Sequence, residues 1–141
     1  MPMVPEDDAV RRLLAACQDT FEGRRNRALV ALLADSGLRI SEALYLRIEN
    51  VSFAARTIHV RNGKGGKDGV GFFGAEAAQC LRASLARRPN ARPEDFLLCD
   101  RHGRSLTRSH GTHILHHLSV KAGLPGRSAP TRFAITWPPR S

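Results

Sequence analysis

The sequence predicts an α+β fold, mainly α, in which packed helices carry a small antiparallel β-sheet. Three observations lead there. Apolar residues recur at helical spacing through roughly the first third of the chain. The period then drops to two at Thr57-Ile58-His59-Val60-Arg61, and a glycine-rich turn follows. Helical spacing returns over 75–87 and again over 107–122. With 141 residues, 42% hydrophobic and 25% charged, the chain fits one ordinary globular domain able to bury a real core.

Each element has its own signal. Pro5 followed by Glu6, Asp7 and Asp8 marks a helix start with acid in the first turn, and Val10, Leu13, Leu14 and Cys17 continue at i, i+3, i+4 and i+7. Phe21, Glu22 and Gly23 read as a break. A second helix over 24–36 turns Leu29, Leu32 and Leu33 inward, and Gly37 ends it as a C-cap glycine. A third, from 39 to about 47, has Ile40, Ala43 and Leu44 as its apolar face and is expected to pack Tyr45 as well. Ile58 and Val60 then share one face of a half-buried strand, and 70–73 is the returning strand. Between them lies a glycine-rich loop tipped by Lys64 and Lys67, so the unit is a β-hairpin.

Beyond the hairpin, 75–87 is helical with Ala78, Leu81 and Leu85 inward, and 89–93 is a loop. Phe96-Leu97-Leu98-Cys99 is either a third strand or an extended run, and Asp100-Arg101-His102-Gly103 a turn. Thr107 is a suitable N-cap for a helix to about Ala122 with Gly111, Ile114, Leu115, Leu118 and Ala122 inward, stopped by Gly123 and Pro125. Residues 128–141 hold three prolines, the only tryptophan and no amphipathic period, and are expected to be irregular.

The formal net charge is +9 and the pI about 10.9. Such a balance favours a polyanionic partner, with nucleic acid ahead of a membrane surface because no basic amphipathic helix carries an aromatic face. An arginine-rich composition without a charged partner is the competing explanation. No apolar run is long enough to span a bilayer, and the acidic N-terminus does not resemble a signal peptide. Cys17, Cys80 and Cys99 form no CxxC pair and read as reduced core thiols of a cytoplasmic protein.

Two stretches are candidate sites. In 37–46, Arg39 falls where one helical pattern stops and the next begins, with Glu42 three residues on and able to hold its guanidinium. A fixed Arg fork grips phosphate well, two N–H groups meeting two oxygens; the alternative is a surface arginine paired with Glu42. The lysine hairpin is not a P-loop, because it joins two strands and lacks the G-x-x-x-x-G-K-[ST] order. It is either a phosphate- or groove-contacting tip or a solvated turn. His110, His113, His116 and His117 cluster on one helix, and His113 and His117 have a zinc-compatible spacing. With no H-E-x-x-H pattern and no acidic third ligand, neither metal nor cofactor is expected, and these histidines are assigned to a basic helix surface. No Ser-His-Asp or paired-carboxylate motif stands out.

Residues 25–72 closely resemble the start of the catalytic domain of tyrosine recombinases, the phage-integrase family. That family shows a helix ending in a T/S-G-x-R-x-S-E-x-x-x-L run, then a β-hairpin carrying G-K-G-x-K. The resemblance extends over about 6–123 and implies metal-free breaking and rejoining of double-stranded DNA. A tyrosine attacks the scissile phosphate to give a 3′-phosphotyrosyl link. Two arginines and a His or Lys stabilise the transition state, and a hairpin lysine protonates the departing 5′ oxygen. By motif, Arg39 matches the first arginine, Lys64 the hairpin lysine and Glu42 the acidic pocket support; Lys67 and Arg61 are the expected DNA contacts. Charge developing on non-bridging oxygens is where an Arg fork counts most, and a lysine among cations can act as general acid.

The sequence departs from the family after Gly123, where H-x-L-R-H, a later His or Trp and the tyrosine would follow. Arg132 lacks the flanking histidines, and Tyr45 is misplaced for a nucleophile. The family's separate DNA-clamping domain is not among these residues. Back-translation of 129–139, read from the third base of each codon, permits Thr-His-Ala-Leu-Arg-His-Tyr-Met-Ala-Ala, which contains the missing H-x-L-R-H. The expected organisation is therefore a partial tyrosine-recombinase catalytic domain over 1–123 and an irregular, non-native, frameshifted tail over 124–141. The expected function is DNA binding without strand cleavage, in a fragment of a site-specific recombinase. The alternative is a stand-alone non-catalytic DNA-binding module or a dominant-negative partner of a full-length recombinase, with protomers of the family as further partners. Loss of the family's C-terminal helices is expected to leave Ile114, Leu115 and Leu118 partly uncovered.

Overall fold

In the computed structural model, the described residues are 6–61 and 68–124. The N-terminal residues 1–5, the lysine tip 62–67 and the tail 125–141 lie outside them. The observed class is the expected one, helices with a small antiparallel sheet.

The central element is α2 (Phe21–Ser36). Its run Ala28 to Ala34 is buried on every side, so it needs neighbours all round. Helices α1 (Glu6–Ala15) and α4 (Ala75–Leu85) supply two of them. The Thr20 hydroxyl caps α2 by accepting from the Gly23 N–H at 3.0 Å, so Phe21, Glu22 and Gly23 form the first helical turn and not a break. Gly23 is there for space: a Cβ at this position would lie 1.8 Å from the Gln18 carbonyl oxygen. At the other end Gly37 has φ +71° and its N–H reaches the Leu33 carbonyl, the C-cap expected.

The next helix, α3 (Ile40–Leu44), is shorter than its apolar pattern suggested. The backbone beyond it is taken by another segment. Ile48 N–H donates to Asp95 O, Glu49 N–H to Pro93 O, and Leu97 N–H to Leu46 O, each at 2.9 Å. These bonds pull 46–49 out of helical register into a 3-10 turn (Ile48–Asn50) and a two-residue strand, β1 (Val51–Ser52). The helix ending early also corrects the placement of Tyr45. With Leu44 and Leu46 facing the core on either side, Tyr45 sits at the C-cap and is 74% exposed.

Strands β2 (Thr57–Val60) and β3 (Gly69–Phe72) form the expected hairpin, paired from Thr57↔Phe72 to Val60↔Gly69. The third strand is β1, on the far side of β2 with Val51 opposite Ile58, and not 96–99. That apolar segment makes only isolated bridges, Phe96 to Arg47 and Cys99 to Ser105, and inserts Leu97 and Leu98 into the core.

Helix α5 (Arg108–Lys121) begins at the predicted cap, the Thr107 hydroxyl accepting from the His110 N–H. It packs on α3 at close range: a Cβ on Gly111 would come within 2.8 Å of Ile40 Cδ1 and 2.9 Å of Leu44 Cδ1. Ile114, Leu115 and Leu118 are buried in the same core cluster as Ile40, Leu44 and Leu124 and are not partly uncovered as expected. All three cysteines are free and buried, and burial raises their thiols, Cys17 to about 11. Among the described residues no helix is long and apolar enough to cross a membrane.

Candidate nucleic-acid interface

The corner between α2 and α3 carries Arg39. Gly37 turns the chain, Arg39 stays extended as the N-cap of α3, and its side chain is exposed. Glu42 does not hold the guanidinium, as the spacing had suggested. Its Oε1 accepts the Arg39 backbone N–H at 2.8 Å, one half of a capping box. The carboxylate thus fixes the start of the helix and leaves the guanidinium without hydrogen bond or ion pair among the described residues.

That guanidinium lines a cleft of about 610 Å3 shared with Ser41, Glu42, Tyr45, Arg47 and Arg61. Arg61 continues β2 and is the last described residue before the lysine tip. On the other side of Glu42 a second hollow, of about 320 Å3, is lined by Ser36, Leu38, Val60, Val70 and Asp68, the first described residue after the tip. Both feet of the hairpin therefore stand beside α3. The feet are also tied to each other, His59 Nε2 lying 3.2 Å from Asp68 Oδ2. Lys64 and Lys67 themselves lie outside the described residues.

Arg47 and Tyr45 also line this cleft, and the sequence reading singled out neither as a site residue. Arg47 is held in place: its guanidinium lies 4.6 Å over the Phe96 ring and donates to the Glu94 carbonyl. A signal for it did exist in Arg47 lying eight residues beyond Arg39, but only the early end of α3 brings it to the cleft. For Tyr45 there was no signal, since its exposure depends on that same helix end.

The histidines lie along α5. His113 and His117 stack at 6.4 Å with their planes 21° apart. His110 is held below its usual value by burial first, then by Arg25 and by His113. Among the described residues no group of three or more His, Cys, Asp or Glu side chains is arranged to hold a metal ion.

An exposed arginine at a helix corner, set against the feet of an antiparallel hairpin in a mainly helical α+β domain, is the arrangement that the motif resemblance implied. The phage integrase family model matches residues 4–133, and the chain belongs to that family. It is 38% identical over 109 residues to the tyrosine recombinase XerC of Azotobacter vinelandii, covering 76% of this chain and 36% of that protein. It is 33% identical over 137 residues to XerD of Ralstonia nicotianae, covering 92% and 44%. Among solved structures, the XerA recombinase superposes with a TM-score of 0.77 at 26% identity, over 96% of this chain and 49% of that one. XerH bound to its difH substrate shares the fold, with a TM-score of 0.70 at 21% identity over 94% of this chain and 40% of that one. The chain thus spans less than half the length of these relatives.

Proposed function

We propose that these residues form the DNA-gripping part of a tyrosine-recombinase catalytic domain, which binds duplex DNA and does not by itself cleave it. The observation that carries this reading is the shared cleft, where Arg39 and the hairpin foot Arg61 present two guanidiniums on one side of α3. A duplex offers closely spaced phosphates, and a rigid fork next to a second cation suits them. In this reading Arg39 grips the scissile phosphate and Glu42 supports the pocket by fixing the Arg39 backbone. Lys64 is the remnant general acid, and Arg61 and Lys67 meet neighbouring phosphates.

Cleavage needs a nucleophile, and the chain holds one tyrosine. Tyr45 ends α3, the short helix that Arg39 begins, in a different part of the chain from the family's nucleophile, and no H-x-L-R-H stands in the sequence. With no attacking group placed among them, these residues do not supply the covalent step, however well they hold the phosphate. The tail over 124–141 is assigned to a shifted reading frame, which the coding nucleotide sequence tests directly. Protomers of the same family are the second class of partner, and the reduced, buried thiols suit the cytoplasm as compartment.

The experiment is incubation with a nicked suicide duplex over a range of salt. The expected result is retention that weakens steeply as salt rises, with no adduct surviving denaturing electrophoresis. A covalent protein–DNA adduct overturns the non-cleaving assignment, and absence of retention at low salt overturns the DNA-binding one.

A further inference from the structure

We propose that Tyr45 is a DNA-backbone contact, its phenol O–H donating to a phosphate oxygen adjacent to the phosphate that Arg39 grips. This rests on the DNA-binding reading and adds to it a neutral donor that composition and charge do not reveal.

The geometry starts from the end of α3. Leu44 and Leu46 are 2% and 3% exposed while Tyr45 between them is 74% exposed, so the core pins the backbone on both sides and turns the ring outward. It turns into the cleft that holds Arg39 and Arg61. Most other polar groups there are occupied. The Glu42 carboxylate accepts the Arg39 backbone N–H, and Arg47 is held by the Phe96 ring and the Glu94 carbonyl. Among the described residues this leaves the Arg39 and Arg61 guanidiniums, the Tyr45 phenol, the Ser41 hydroxyl and the Glu49 carboxylate lining the cleft without a hydrogen bond or ion pair.

An anionic ligand fits that set. Tyrosine is well suited to it, because its ring packs on a sugar while the hydroxyl donates to a phosphate oxygen. Arg39 and Tyr45 are six residues apart, about 9 Å along a helix axis, so the two side chains meet different phosphates of one strand. An exposed tyrosine at a helix end is common where nothing binds; here the cationic surroundings and the pinned backbone distinguish it.

The chain's single tyrosine makes the test direct, since all nitration by tetranitromethane at tyrosine reports Tyr45. The probe is a short duplex at low salt, with nitration read by mass spectrometry on free and duplex-saturated protein. The expected result is nitration slowed severalfold by the duplex. Y45F should weaken duplex binding about threefold to tenfold. Its salt dependence should match the parent's, because a phenol releases no counterion. R39A, run alongside, should lower the salt slope by about one phosphate. Unslowed nitration on saturated protein, or Y45F binding as tightly as the parent, overturns the Tyr45 contact and leaves the DNA reading standing. Failure of the parent chain to bind the duplex overturns both.

Discussion

Arginines serve two different ends in two regions of this molecule. On the side where α2 meets α4 and the 96–101 segment, they hold the protein to itself. Arg24 donates to the Ala83 carbonyl, Arg87 to Asp19, Arg27 to Cys17, and Arg88 to both Leu97 and Phe96. Arg101 pairs with Glu22, and Arg25, almost wholly buried, donates to the Cys99 carbonyl and the Asn26 side chain. In the cleft between α3 and the hairpin, Arg39 and Arg61 have no such partner among the described residues. The formal charge of +9 counts both groups alike. The second group alone has every donor free of partners among the described residues, so a basic composition locates no interface until the internal bonds are subtracted.

Substitutions can separate the two groups. Arg25→Met should cost about 2–3 kcal/mol of unfolding free energy, since it strands the buried Cys99 carbonyl, while urea-unfolding-corrected DNA affinity stays at the parent value. Gly111→Ala reaches the cleft from the core side of α3. The added methyl presses Ile40 and Leu44, so about 1–2 kcal/mol of stability should go and duplex affinity should fall with it as α3 shifts. Arg39→Ala should do the reverse of Arg25→Met: a duplex affinity about tenfold weaker, worth about 1.4 kcal/mol, on an unchanged melting curve. Equal loss of stability in the Arg25 and Arg39 variants would erase the distinction.

The smallest effect concerns pH. Burial, Arg25 and His113 lower the His110 pKa and Asp100 opposes them, so the folded state favours the neutral ring. Its contribution is present above the unfolded value near pH 6.5 and is lost as pH falls. His110→Asn should therefore flatten the decline in melting temperature between about pH 7 and 5.

Much of the fold was legible because local signals agreed with tertiary need. The α5 N-cap at Thr107, the Gly37 C-cap and the alternation at Ile58 and Val60 each specify their element alone. What failed was decided by distant partners. Gly23 looked like a breaker because the Gln18 carbonyl that demands a missing side chain is invisible to periodicity. Strand β1 is two residues long and exists only because β2 pairs with it. The 93–97 segment ended α3 early, and with that went the placement of Tyr45 and Arg47. At the site, the motif resemblance identified Arg39, but Glu42 did something spacing cannot distinguish: it capped a backbone amide in place of a guanidinium.

The three buried thiols have a practical consequence. Cys17 follows α1 and Cys80 lies in α4, near enough to each other to interact and both beside Arg27, whereas Cys99 lies in the segment that fastens Arg25, so the thiols lie behind two parts of the wall. A maleimide can reach one only when its own covering lifts. Timed labelling, resolved peptide by peptide, would give a separate opening rate for each part without introducing a single foreign reporter.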